Sequence, residues 1–102
     1  MTRQIVLLVY PGFQVLDAAG PLAAFEAANA FVPDSYLLEL IARDGGLVAS
    51  SGGTRLAATA FSNRDGDDTL IVTGGDGVFA AAECATTVGF VSNSGAALRR
   101  IA

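Results

Sequence analysis

The stretch QIVLLVYPGFQVLDAAGPLAAFEAAN, residues 4–29, decides the fold. Its first seven residues form an unbroken aliphatic and β-branched run. Such a run suits a strand buried on both faces of a parallel sheet. Pro11-Gly12 ends it, and Asp17 follows in what reads as a loop. A helix is then predicted from Pro21, because proline at a first helical position forfeits an N–H that has no partner anyway. Leu22, Phe25, Glu26 and Asn29 recur at helical spacing and read as one face. Strand, loop and helix in this order open a βαβ unit.

The pattern repeats downstream. YLLELIAR (36–43) reads as a second buried strand. LVAS and TRLAAT, separated by Ser51-Gly52-Gly53, read as a β-hairpin about a glycine turn. SNRDGDD (62–68) reads as a polar loop, TLIVT (69–73) as a further buried strand, and VFAAAECA (78–85) as a helix. A last helix is predicted over 88–100, capped by Thr86 or Thr87, with Val88, Val91, Gly95 and Leu98 on one face. Arg99 and Arg100 would suit its negative end. A parallel strand should then follow, yet only Ile101 and Ala102 remain. The pattern thus predicts an α/β domain that is incomplete at its C-terminus. It also predicts unpaired apolar edges on strands 4–10 and 69–73, and hence self-association. No repeat or linker interrupts residues 1–102, which read as part of one domain.

Composition narrows the chemistry. The chain has 102 residues and a net charge of −4, with arginine as its basic side chain. That balance disfavours nucleic-acid or anionic-membrane binding by this segment. No apolar run approaches the ~18 residues of a membrane span, and no signal peptide is evident. A single cysteine cannot form an intrachain disulfide and points to the cytoplasm. There is no histidine, so a Ser-His-Asp set, a Cys-His pair and a histidine metal site are all excluded from this chain. No cofactor and no metal is expected.

Asp17 allows two readings. It caps a helix or sits near its positive end. Alternatively, it stands at the carboxyl edge of the sheet, where open parallel sheets bind ligands. The TGGDG stretch (73–77) is either a tight turn or a nest of backbone N–H groups for an anion. Gly75, Gly77 and Ala80 fit the dinucleotide spacing G-x-G-x-x-A, but they do not follow the first strand and no ribose-binding acid lies ~20 residues on. Cys84 reads as a small buried apolar side chain, with Glu83 beside it to raise a thiol pKa. Glu26 reads as a solvated or capping acid, and Arg43, Arg55 and Arg64 as solvated charges.

Three stretches together resemble one family: 5–29, 35–59 and 68–77 look like the ThiJ/PfpI branch of the class I glutamine-amidotransferase-like superfamily. The pattern LD-x-x-GP-x-x-x-F-x-x-A at 16–28 is most similar to N-terminal domains of AraC-type transcription regulators and to isocyanide-hydratase-like enzymes. The ending LRRIA (98–102) also resembles the regulators. The resemblance implies a flavodoxin-like three-layer α/β sandwich with a mostly parallel sheet plus a hairpin, usually dimeric. It implies a ligand site that includes Asp17, Gly74, Gly75 and Asp76. The family's cysteine elbow would lie beyond Ala102, so no catalytic residue is assigned here. The regulator reading implies an unknown small-molecule effector, a homo-oligomer, and DNA contact only through a C-terminal domain absent from this chain. The alternative is a fragment of a cysteine enzyme, such as a hydratase, amidase or glyoxalase-like lyase, with Asp17 as acid–base partner.

Overall fold

The computed structural model describes residues 2–61 and 66–101, excluding the side chains of 66–68 and 94–101. The chain runs β1 (Arg3–Leu8), α1 (Val15–Phe31), β2 (Tyr36–Ala42), β3 (Gly46–Ala49), β4 (Arg55–Ala60), β5 (Gly66–Val72), α2 (Val78–Glu83), α3 (Ala85–Ala97) and β6 (Leu98–Ile101). The strands form one six-stranded sheet in the order β3-β4-β2-β1-β5-β6. All neighbours are parallel except β3 and β4, which pair as the antiparallel hairpin read from the glycine turn.

β1 is the axis of the sheet. It pairs with β2 on one side and β5 on the other, so both its edges are satisfied. Its side chains alternate between two cores. Ile5, Leu7 and Val9 join a cluster with Ala18, against which Leu22 and Phe25 of α1 pack. Val6 and Leu8 join Ile41 and Leu70, covered by Phe90 and Val91 of α3. A period of two sends alternate residues to opposite faces. One uninterrupted apolar run therefore supplies the middle layer between two helical layers.

Several local expectations are corrected. α1 begins at Val15, not Pro21, so Pro21 lies inside the helix and Asp17 in its first turn. The face that packs on the sheet is Val15, Ala18, Leu22 and Phe25, which starts a turn and a half before the proline. Burying Val15 and Ala18 offsets the helical bond that proline removes. Glu26 is exposed and not part of that face. Asn29 does face inward: its amide donates to the Tyr36 carbonyl and accepts from the Tyr36 N–H, both at 2.9 Å, while Phe25 and Tyr36 meet edge to face. These contacts fix how α1 returns into β2.

The C-terminal reading changes more. α3 ends at Ala97, and Leu98–Ile101 forms β6, parallel to β5. Arg99 and Arg100 thus lie in a strand, where the sequence placed them at a helix end. The helix-weakening Gly95 and the β-branched Ile101 are the signals that the continuous-helix reading underweighted. The predicted unpaired edges on 4–10 and 69–73 are not found, since β1 is central and β5 lies between β1 and β6. β5 begins at Gly66, and residues 62–65 of the predicted polar loop lie outside the described residues.

The central position of β1 predicts a steep contrast in substitution effects. Leu7 is fully buried, and Leu7→Ala should cost about 3 kcal/mol. Leu37 lies on the neighbouring strand but is 58% exposed, and Leu37→Ala should change stability by less than about 1 kcal/mol. Urea denaturation of both variants measures the difference.

Candidate functional site

α1 covers one face of the sheet and α3 the other, while Ala81 of α2 packs against the α1-side cluster. β1 and β5 are neighbours whose connections part in opposite directions, which opens a crevice at their carboxyl ends. Here the crevice is stitched shut by hydrogen bonds. The Gln14 N–H donates to the Gly74 carbonyl at 2.7 Å, and the Gly77 N–H to the Gly12 carbonyl at 3.1 Å. The Tyr10 hydroxyl donates to the Thr73 carbonyl at 2.7 Å, and the Thr73 hydroxyl to the Leu8 carbonyl at 2.7 Å.

Asp17 belongs to this seam. Its Oδ2 accepts the Gly74 N–H at 2.8 Å. The carboxylate lies in the first turn of α1, where the helix dipole favours negative charge. It caps no N–H of its own helix, because Gln14 occupies the N-cap position without a side-chain bond. Instead it ties α1 to the loop after β5. Asp17 is solvent-exposed, as is Asp76.

The glycines are required by distance. Gly75 has φ +133°, and a Cβ there would lie 2.5 Å from the Gln14 nitrogen and the Gly12 oxygen. Backbone presses on backbone, so no rotamer relieves the clash. The structure therefore joins Asp17 to Gly74 and packs Gly75 on the Gly12–Gln14 turn. The Gly74 N–H is already bonded, so the anion nest imagined at TGGDG loses one donor to a side chain of the same chain.

Two cavities lie beside the seam, and Asp17, Gly74, Gly75 and Asp76 line neither. The smaller, about 330 Å³, is apolar and sits under α2 and α3, with Leu8, Val72, Val78, Val88 and Val91 on its walls. The larger, about 540 Å³, is a cleft at the ends of β1 and β2 that reaches Gly77 and α2. Arg43, Cys84 and Thr87 line it. The larger cleft combines polar groups with apolar walls, as small-molecule sites do.

Cys84 differs from its sequence reading. It is half-buried at the break between α2 and α3 and accepts the Val88 N–H on its carbonyl at 3.0 Å. Its thiol pKa is held below the ordinary value, first by the Thr87 hydroxyl, then by the Thr87 backbone N–H, with Arg43 and the Thr86 N–H adding to the effect. Burial opposes these donors, and the upward push expected from Glu83 is not among the causes. The Arg43 Nη1 approaches Sγ at 3.6 Å. Tyr10 and Thr73 were also not singled out in the sequence. The available signal was a hydroxyl at the end of each of two apolar runs.

Two predictions follow from the seam. Asp17→Ala should lower stability by about 1 kcal/mol by orphaning the Gly74 N–H, whereas Asp17→Asn keeps an acceptor oxygen and should recover most of the loss. Gly75→Ala should be far worse, by more than about 3 kcal/mol. Thermal melts of the three variants test the ranking. Tyr10 supplies a pH signature, because burial first, and the Asp17 charge second, raise its pKa, against a smaller opposing effect of the Thr73 bond. The folded chain then holds the phenol proton more tightly than the unfolded chain. Stability should be intact below about pH 10, the ordinary tyrosine range, and fall as pH rises beyond it towards the raised folded value. Tyr10→Phe should flatten that alkaline decline, read as the slope of the denaturation free energy against pH.

No family model matches the chain. A Streptomyces lividans protein described as an uncharacterized protein in the cpoL 5' region is 40% identical over 75 residues, covering 72% of this chain and 52% of that protein. The crystal structure of a ThiJ/PfpI family protein from Pseudomonas syringae superposes with a TM-score of 0.84 and 32% identity, over 99% of this chain and 41% of that one. That of an AraC family transcriptional regulator from Pseudomonas putida gives a TM-score of 0.66 and 25% identity, over 72% of this chain and 47% of that one. The chain thus spans about half or less of the length of the proteins it matches. Among the described residues, no helix is long and apolar enough to cross a membrane. The parallel sheet with its one hairpin, the two helical layers and the agreement with these structures establish that the chain has the flavodoxin-like fold of the ThiJ/PfpI proteins.

Proposed function

We propose that the chain is the amino-terminal part of an effector-sensing and dimerising domain of an AraC-type transcription regulator. The observation that carries this reading is the cleft of about 540 Å³ at the carboxyl ends of β1 and β2. It offers apolar and polar walls for a small molecule. The likeness to the Pseudomonas putida regulator supports the same reading. The seam of Asp17, Gly74 and Gly75, with Asp76 following it in the chain, adjoins the sensing region without lining it, and Gly77 links the two. Ligand occupancy would press on this seam and so reach the sheet, while DNA contact belongs to a separate domain of the parent.

A second reading is favoured by one observation. Asp17 stands at the end of a parallel strand pair with its carboxylate held in a fixed position by Gly74. A thiol supplied by the remainder of a parent protein could use that acid as its partner. The parent would then be a cysteine enzyme of the hydratase, amidase or glyoxalase-like kind.

One comparison separates the two. The full-length parent is assayed for binding to its own upstream DNA, and for turnover of isocyanides and 2-oxoaldehydes, with Asp17→Asn alongside. Sensing predicts a dimer by sedimentation and DNA affinity that changes with a small molecule. Turnover that collapses in Asp17→Asn, without DNA binding, overturns it in favour of the enzyme.

A further inference from the structure

The larger cleft contains a cation for which the fold makes little use. Arg43 directly follows β2 and its side chain is 56% exposed. Its Nε lies 3.9 Å from an Asp44 oxygen, at the limit of an ion pair, and Asp44 itself is 87% exposed. Exposed pairs of this kind contribute little. Its Nη1 meets the Cys84 sulfur at 3.6 Å, and sulfur is a weak acceptor. A guanidinium has five donors in a planar fork suited to a carboxylate, so most of that capacity is left for an external acceptor.

The surroundings define what that acceptor carries. Val9, Ala42, Leu47, Val48 and Ala80 supply apolar walls around Arg43. A cleft of about 540 Å³ matches a small molecule rather than a polymer. Among the described residues Arg43 is its sole cationic wall residue and Asp44, 87% exposed, its sole carboxylate. The cleft thus holds one cation, an acid at the limit of pairing with it, and apolar walls, a balance that suits a monoanion with a hydrocarbon body better than a dianion. A phosphate ester, carrying up to two charges and no need of apolar walls, fits less well.

We propose that this cleft binds a small organic carboxylate, with Arg43 gripping the carboxyl group and the apolar walls enclosing the carbon skeleton. This names the effector class for the sensing reading and depends on that reading for its biological role. The binding itself does not.

Cys84 lies in the same cleft and reports on occupancy. The chain is titrated with isovalerate or benzoate, and iodoacetamide alkylation of Cys84 is followed by intact mass. Isovaleramide, benzamide and inorganic phosphate serve as comparison probes. The carboxylates should slow alkylation saturably, and the amides and phosphate should not. Arg43→Gln should raise the half-protecting concentration roughly tenfold or more, the usual effect of losing a charge-assisted hydrogen bond. Leu47→Glu, at a position 68% exposed, should weaken protection by placing a like charge in the cleft without touching the core. Equal protection by acids and amides, protection by phosphate, no protection at millimolar acid, or unchanged midpoints in both variants would each overturn the proposal. A carboxylate that binds the cleft yet leaves the DNA affinity of the full-length parent unchanged would overturn the sensing role and leave the site standing.

Discussion

The Asp17–Gly74 hydrogen bond and the glycine contacts behind it close the crevice on which the rest of the structure depends. A doubly wound sheet separates its connections where neighbouring strands send their helices to opposite faces. Left open, the ends of β1 and β5 would expose backbone donors and acceptors to competing water. The chain closes the gap with main-chain bonds at Gln14–Gly74 and Gly77–Gly12, side-chain bonds from Tyr10 and Asp17, and glycines that let the two backbones approach. The cost is borne by conformational entropy, since each glycine gives up more freedom on folding than another residue would. The gain is a rigid edge from which the neighbouring cleft takes its shape.

How much of this was legible depended on the range of the interaction. β1 could be read because its signal is local: an unbroken apolar run fits a strand covered on both sides. The hairpin was legible because Ser51-Gly52-Gly53 is turn chemistry between two β-prone runs. The start of α1 was misplaced because Pro21 is a strong local signal, while Val15 and Ala18 become helical through packing against a sheet not visible in a linear chain. β6 was missed for the same reason. Leu98–Ile101 is short and charged, and it becomes a strand by pairing with β5.

The site shows the same division. That Asp17 and the TGGDG loop are special could be read from glycines and a carboxylate at strand ends. That they bond to each other could not, because 57 residues separate Asp17 from Gly74. The cleft residues were harder still. Arg43, Cys84 and Thr87 are individually ordinary, and only folding sets a guanidinium and a hydroxyl beside a thiol. Local composition even pointed the wrong way for Cys84, since Glu83 is its neighbour in sequence while its strongest influence is the Thr87 hydroxyl in the first turn of α3.

The two regions then differ in what a ligand can do to them. At the seam the polar groups are paired within the chain, so a ligand must displace an internal bond to gain one, and the net return is small. In the cleft Arg43 is held by a distant carboxylate and a sulfur, both poor competitors for a carboxylate from solution. Binding energy is therefore available in the cleft and largely already used at the seam. Gly77 belongs to both, bonded to Gly12 and lining the cleft wall. A molecule seated against Arg43 would meet the seam at that glycine, where a small displacement acts on the Gly77–Gly12 bond. The acid that stood out in the sequence is then part of the frame, and the proposed recognition would fall to an arginine in the neighbouring cleft.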